Sequence, residues 1–198
     1  RDCLLSRGLG DVYKRQIANR MITMVSGGYM TLYEYQPAVA GYYDGVTYCH
    51  KQLINACTPW NGYYTLDSGY YMNLHFSQFM DKGWSFIFDA CYGDAKVGGD
   101  GHALVDAKYS YITACSAQGD YSTIITNTTS EPITYNFEIA NLAKADNEVY
   151  VWETRGPDEG QEYNANYFKK ISTVTPENGK YSVTIKPYSM ITVSTVNI

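Results

Sequence analysis

The sequence predicts a mainly β protein: an antiparallel β-sandwich preceded by a short mixed α/β piece. From Trp84 to the C-terminus, runs of alternating polar and apolar residues recur about every ten positions with turn residues between them. Tyrosine is in excess, at 21 residues, and aromatic side chains suit pleated, half-buried surfaces and faces that stack on sugars. The stretch before Trp84 holds one β-prone run, one helix-period run and long loops. That is too little chain to close a core alone, so it predicts missing packing partners.

Residues 1–16 (Arg1 to Gln16) fit nothing that follows. The run from Leu4 to Gln16 resembles translated sequencing-library adapter, and it is set aside from fold reasoning as a non-native scar. The next element, Tyr29 to Tyr35, reads as a short buried strand ending at Pro37, which has no N–H to give a ladder. Ala38–Tyr43 and Tyr48–Cys57 read as short helices or ordered loops, and Pro59-Trp60-Asn61-Gly62 as a turn. Tyr70 to Met80 places Tyr71, Leu74, Gln78 and Phe79 at helical spacing, with Lys82-Gly83 as a stop. The apolar faces of the first and last of these segments are expected to lie bare and to favour aggregation.

Eight strands are expected in the sandwich: Ser85–Cys91, Ala107–Ala114, Tyr121–Thr126, Ile133–Ile139, Glu148–Glu153, Phe168–Val174, Tyr181–Ile185 and Ile191–Val196. Ile133–Ile139 alternates most cleanly, with four apolar positions against three polar ones. Glu177-Asn178-Gly179-Lys180 is a hairpin turn, because Asn-Gly tolerates the positive φ angles of tight turns. Gly98-Gly99-Asp100-Gly101 reads as a connector; no helix with a Lys or Ser/Thr follows it as a phosphate loop needs. The chain thus divides into a scar (1–16), an α/β piece (17–83) and a β domain (84–198).

Composition narrows the partners. Hydrophobic residues make up 45% and charged residues 18%, a globular balance, and no apolar run is long enough to span a bilayer. Residues 17–198 carry 11 Lys and Arg against 18 Asp and Glu, a net charge of -7. Without a basic cluster, nucleic acid and anionic membranes are poor partners, and a neutral ligand such as a carbohydrate suits better. Cys49, Cys57, Cys91 and Cys115 show no metal-ligand spacing; they permit disulfides without requiring them. Neither metal nor cofactor is expected. Asp67, Asp81, Asp89, Asp94, Asp100 and Asp106 lack the spacing of a calcium loop. Asn127-Thr128-Thr129 is formally a glycosylation sequon.

Several small motifs in one register are similar to the galactosylceramidase family, glycoside hydrolase family 59. They are Gly28-Tyr29-Met30-Thr31, Tyr42-Tyr43, Tyr48, Pro59-Trp60-Asn61-Gly62, His75, Gln78-Phe79 and Gly83-Trp84. Beyond residue 84 the resemblance is looser, through Asn127-Thr128-Thr129, Val151-Trp152-Glu153-Thr154 and Pro187-Tyr188-Ser189-Met190-Ile191-Thr192. The resemblance implies the last strand and helix of a truncated TIM (β/α)8 barrel leading into the sandwich, in an enzyme that hydrolyses a β-galactosidic bond of a carbohydrate or glycolipid. It also implies a secreted or periplasmic location, lysosomal in eukaryotic relatives.

Retaining chemistry needs two carboxyl groups about 5 Å apart. The family's pair lies on barrel strands before Gly28. Its nucleophile would align within residues 1–16, where no glutamate occurs, so no catalytic residue is assigned and the chain alone is expected to be inactive. Glu34 and Gln36 fall where the last barrel strand ends, and TIM-barrel sites are built there. The family has tryptophan at the position of Gln36, which exchanges a stacking platform for a hydrogen-bonding amide. Tyr48 matches a family tyrosine near the sugar. Trp60 is read either as a sugar-stacking ring or as a packing anchor. His75, on an apolar helix face, is read as a satisfied core or interface histidine rather than an acid/base. Two other functions fit: a noncatalytic carbohydrate-binding sandwich using tyrosines of 84–198, and a related-clan β-glycosidase with another sugar specificity.

Overall fold

The computed structural model describes residues 17–34, 38–41, 52–58, 62–93, 96–97, 104–105 and 108–198. The chain is mostly β, and no closed barrel forms among the described residues. The first element, α1, is a helix over residues 17–28. Sequence reasoning missed it, although Ala18, Ile22 and Val25 repeat at helical spacing and face one apolar cluster. Asn19 fixes its orientation: the hydroxyls of Ser110 and Thr126 both donate to its Oδ1.

The expected buried strand at Tyr29–Tyr35 is not formed over its described part. Residues 29–34 are irregular and mostly exposed, Tyr29 at 68% and Leu32 at 73%. The reason is local. Tyr29 (φ 53) and Met30 donate N–H to Val25 and Met24 carbonyls, so the segment leaves the helix as a C-terminal cap instead of entering a ladder. The exposed Tyr29, Met30 and Leu32 agree with the expected bare patch.

Two segments read as helices or loops contain strands. β1 (Val39–Gly41) pairs parallel with β2 (Ile54–Thr58), and β3 (Tyr63–Leu66) returns antiparallel to β2. Short apolar runs do not reveal their period, and pairing decided these. Helix α2 (Ser68–Ser77) follows, its start fixed by Asp67 Oδ1 accepting the Ser68 N–H at 2.9 Å. Its apolar face is covered, contrary to expectation: Met72, His75 and Phe79 are buried against the sandwich.

The remaining strands are β4 (Ser85–Phe86), β5 (Tyr92–Gly93), β6 (Lys96–Val97), β7 (Leu104–Val105), β8 (Tyr109–Cys115), β9 (Tyr121–Asn127), β10 (Ile133–Glu138), β11 (Val149–Arg155), β12 (Lys169–Val174), β13 (Lys180–Ile185) and β14 (Ser189–Ser194). Each of the eight expected strands therefore exists, but Ser85–Cys91 is only a two-residue strand followed by a 3-10 turn at Phe88–Ala90. A seven-stranded sheet runs β12-β11-β14-β9-β8-β4, with β5 also on β8, and β10 and β13 form a two-stranded sheet.

The large sheet is covered on both faces. Tyr121, Ile125, Val151, Ile191 and Val193 pack against Tyr181, Val183 and Ile185 of the small sheet. Their neighbours Ile124 and Met190 point oppositely, into a second cluster with Ile112 of β8 and with Ala18, Ile22 and Met72 of the helices. Adjacent residues reach opposite cores because side chains alternate along a strand. β9 and β14 are consequently buried at every position, whereas β13 alternates, as a sheet wet on one face should.

At the Glu177–Lys180 turn, Asn178 (φ 52) and Gly179 (φ 72) take the expected left-handed conformations, and the outer residues exchange backbone hydrogen bonds of 3.0 and 3.1 Å. The turn does not join neighbouring strands, however: it carries the chain from β12 in the large sheet to β13 in the small one. Gly98–Gly101 lies outside the described residues.

Candidate functional site

Helix α2 is the element around which the candidate site is built. At its middle, His75 is fully buried, with Nδ1 2.7 Å from Thr192 Oγ1 on β14 and Nε2 2.8 Å from Thr154 Oγ1 on β11. Burial lowers its pKa to about 3, so the imidazole is neutral and joins helix to sheet as donor and acceptor at once. A ring without solvent access cannot shuttle a proton, and the reading of His75 as an interface histidine holds.

At the N-terminal end of α2, rings from two parts of the chain meet. Tyr71 packs edge-on against Tyr70 at 5.5 Å and tilted against Tyr167 at 5.1 Å, and Tyr163 meets Tyr167 at 6.3 Å. The Tyr71 phenol is held above its ordinary pKa, first by burial and then by the nearby phenols of Tyr163 and Tyr70. Tyr163 and Tyr167 belong to the loop 156–168 between β11 and β12.

That loop is built rigidly. The Arg155 guanidinium binds Asp158 through two nitrogens at 2.7 and 2.6 Å and holds its carboxyl below the usual range. Asn166 Nδ2 donates to Gly156 O and Gln161 Oε1, and the Arg155 N–H donates to Asn166 O, closing the neck. Phe168 ends the loop at φ 48, its N–H donating to Thr154 Oγ1, the hydroxyl that also binds His75. The same clasp therefore fixes the loop and the helix. Sequence reasoning passed over it, although a long connection rich in Tyr and Asn between two alternating strands is itself a signal.

Of the residues expected to touch substrate, Glu34 is exposed in the irregular segment after α1. Tyr48, Gln36 and Trp60 lie outside the described residues. Among the described residues the buried carboxylate is Glu153, which accepts from Arg155 Nε at 3.0 Å and whose Oε1 has no hydrogen-bond partner there. Glu153 sits in the sandwich, paired structurally. Among the described residues no cluster of three His, Cys, Asp or Glu could hold a metal, and Cys91 and Cys115 are free thiols. The sequon asparagine is structural: Asn127 is buried, its Nδ2 donates to the carbonyls of Glu131 and Lys186, and its Oδ1 accepts from Thr129. An apolar crevice between α1 and α2, lined by Met21, Leu53, Met72 and Phe76, has room for about one water and none for a sugar.

Comparison with known proteins sets this arrangement in context. Residues 8–78 match the Glycosyl hydrolase family 59 model, a span that begins inside the segment 1–16. The chain is 25% identical over 167 residues to a galactocerebrosidase of Salmo salar, covering 79% of this chain and 24% of that one. It is 34% identical over 79 residues to galactocerebrosidase of Homo sapiens, 40% of this chain and 11% of that one. The chain thus spans about a quarter of the length of the first of these relatives. Among solved structures, a GH30 endoxylanase from Clostridium papyrosolvens superposes with a TM-score of 0.60 at 14% identity, over 91% of this chain and 37% of that one. A glycoside hydrolase family 30 subfamily 8 xylanase from Clostridium acetobutylicum gives 0.61 at 16%, over 93% and 38%. No helix of the described residues is long and apolar enough to cross a membrane. Over the parts that match, the chain is a distant relative of the family 59 galactocerebrosidases and has a fold shared with family 30 hydrolases.

Proposed function

We propose that this chain is the C-terminal end of a β-glycosidase barrel with its attached sandwich, from an enzyme of the family 59 and family 30 kind. The observation that carries the reading is the helix-on-sandwich unit itself. The family 59 match ends at the C-terminus of α2, and family 30 xylanases share the fold of more than nine-tenths of the chain. Helix and sandwich are locked by the His75 clasp into one body, which favours a shared role over a free-standing binding module.

The substrate class is a neutral β-linked carbohydrate, in keeping with the acidic, cluster-free charge of the chain. Galactosylceramide is only one member of that class. The xylanase-like fold and the amide of Gln36, where the family has a stacking ring, favour a related-clan enzyme of different sugar specificity. Glu34, Gln36, Tyr48 and Trp60 are the proposed remnants of the sugar pocket, and the catalytic carboxylates are assigned to chain upstream of residue 17.

The test is to express the chain with its native upstream reading frame and to assay aryl β-galactosides, β-xylosides, β-glucosides and xylan. The reading requires two carboxylates at barrel strand ends and hydrolysis of at least one substrate, by retention of configuration. An upstream frame without that pair refutes it.

A further inference from the structure

The sandwich sends one loop to the N-terminal end of α2; its Tyr167 and Phe168 anchor it against the helix, and the rest of it stands clear of both apolar clusters. TIM-barrel sites lie at the C-terminal ends of the strands, and hence at the N-terminal ends of the helices that follow. Tyr70 and Tyr71 mark that end of α2, immediately after the Asp67 cap. Tyr167 is buried against Tyr71, while Tyr163 remains half-buried one step further out and Asn164 is exposed.

A loop that served only to connect β11 with β12 would need few residues, since the strands are hydrogen-bonded neighbours. This one is long and internally braced by Arg155, Asp158, Gln161 and Asn166, and Phe168 is held in a left-handed conformation at its exit. Bracing of that kind fixes side chains in place before a ligand arrives, as sites that orient substrates require. A tyrosine there offers a flat ring and a phenol, which suits a pyranose with one apolar face and equatorial hydroxyls.

We propose that the 156–168 loop is the sandwich's contribution to the carbohydrate site, with Tyr163 forming part of its rim and positioning the bound glycoside. The inference rests on the glycosidase reading above and adds a residue from the β domain to it. It assigns no role in proton transfer or nucleophilic attack to the loop.

The experiment uses the chain with its upstream frame and an aryl β-glycoside that this parent hydrolyses. Tyr163→Ala should raise KM about three- to tenfold, the loss of one aromatic contact, with kcat within about twofold. Tyr163→Phe, which keeps the ring, should raise KM less and leave the melting temperature unchanged; it decides the matter if the alanine variant fails to fold. Unchanged KM in the folded variants, with or without a lower melting temperature, means that Tyr163 only packs, and overturns the inference while the glycosidase reading stands. A parent inactive on every β-glycoside overturns both.

Discussion

The His75 clasp makes the junction between α2 and the sandwich sensitive to acid. In the unfolded chain His75 takes its proton with the ordinary pKa near 6.5, whereas burial lowers the folded value to about 3. Above pH 6.5 both states are neutral and the clasp contributes in full. As the pH falls from 6.5 to 3 the unfolded chain binds the proton that the folded one refuses, so stability is lost through this window and the loss saturates below it. At pH 5 the loss is about 2 kcal/mol, and its limit is about 5 kcal/mol. Among the described residues no carboxylate is bonded to the ring to offset the charge: its partners are Thr192, Thr154 and Phe168, and Glu153 lies on the opposite face of β11. The assay is denaturant unfolding of the chain and of His75→Gln at pH 7.5 and pH 5.0. Carboxylates titrate in both proteins, so the difference between their two pH effects isolates the imidazole. The variant should be less stable at pH 7.5 by about 1–3 kcal/mol, because two buried hydroxyls lose their partner, yet lose about 2 kcal/mol less than the parent on acidification. Equal losses in the two proteins refute the reasoning.

Gly179→Ala drives a methyl into the Ile139 carbonyl oxygen at φ 72; clash and strain together should cost at least about 2 kcal/mol, read from the unfolding midpoint. Asn127→Ala removes the side-chain bonds to the Glu131 and Lys186 carbonyls and the acceptor of the Thr129 N–H, and should cost about 1–3 kcal/mol; mass spectrometry of the chain from a secretory host should find folded Asn127 without glycan. Arg155→Ala leaves Glu153 buried beside a distant Lys186 and should cost about 3–5 kcal/mol at neutral pH, whereas Arg155→Ala with Glu153→Gln should recover part of that.

The legible part of the fold was the part with a period. Ile133–Glu138 alternates because one face meets the large sheet and the other meets water, and that asymmetry is written directly into residue types. β9 and β14 were found although both faces are buried, because Thr and Ser fill the positions that meet Asn19 and His75, and these polar positions mimic a wet face. Segments without an asymmetry misled. Residues 29–34 carry strand-forming side chains, but local helix-capping bonds set their backbone and no ladder claims them. β1 and β2 are too short for period to speak, and partners decide them. His75 could be weighed correctly because a histidine among apolar residues on a helix has to be satisfied by something. Its partners, 79 and 117 residues away in sequence, could not be named. The loop 156–168 was missed for the same reason: its bracing is a matter of Arg155 reaching Asp158 and Asn166 reaching Gln161, not of pattern.

The most direct test of the account compares hydrolysis of aryl β-glycosides by the 198-residue chain with hydrolysis by the chain carrying its native upstream frame. Turnover is expected from the longer protein alone, lost when either of two upstream carboxylates becomes an amide. Turnover by the 198-residue chain that disappears in Glu34→Gln would contradict it, because the catalytic machinery would then lie among the residues in hand.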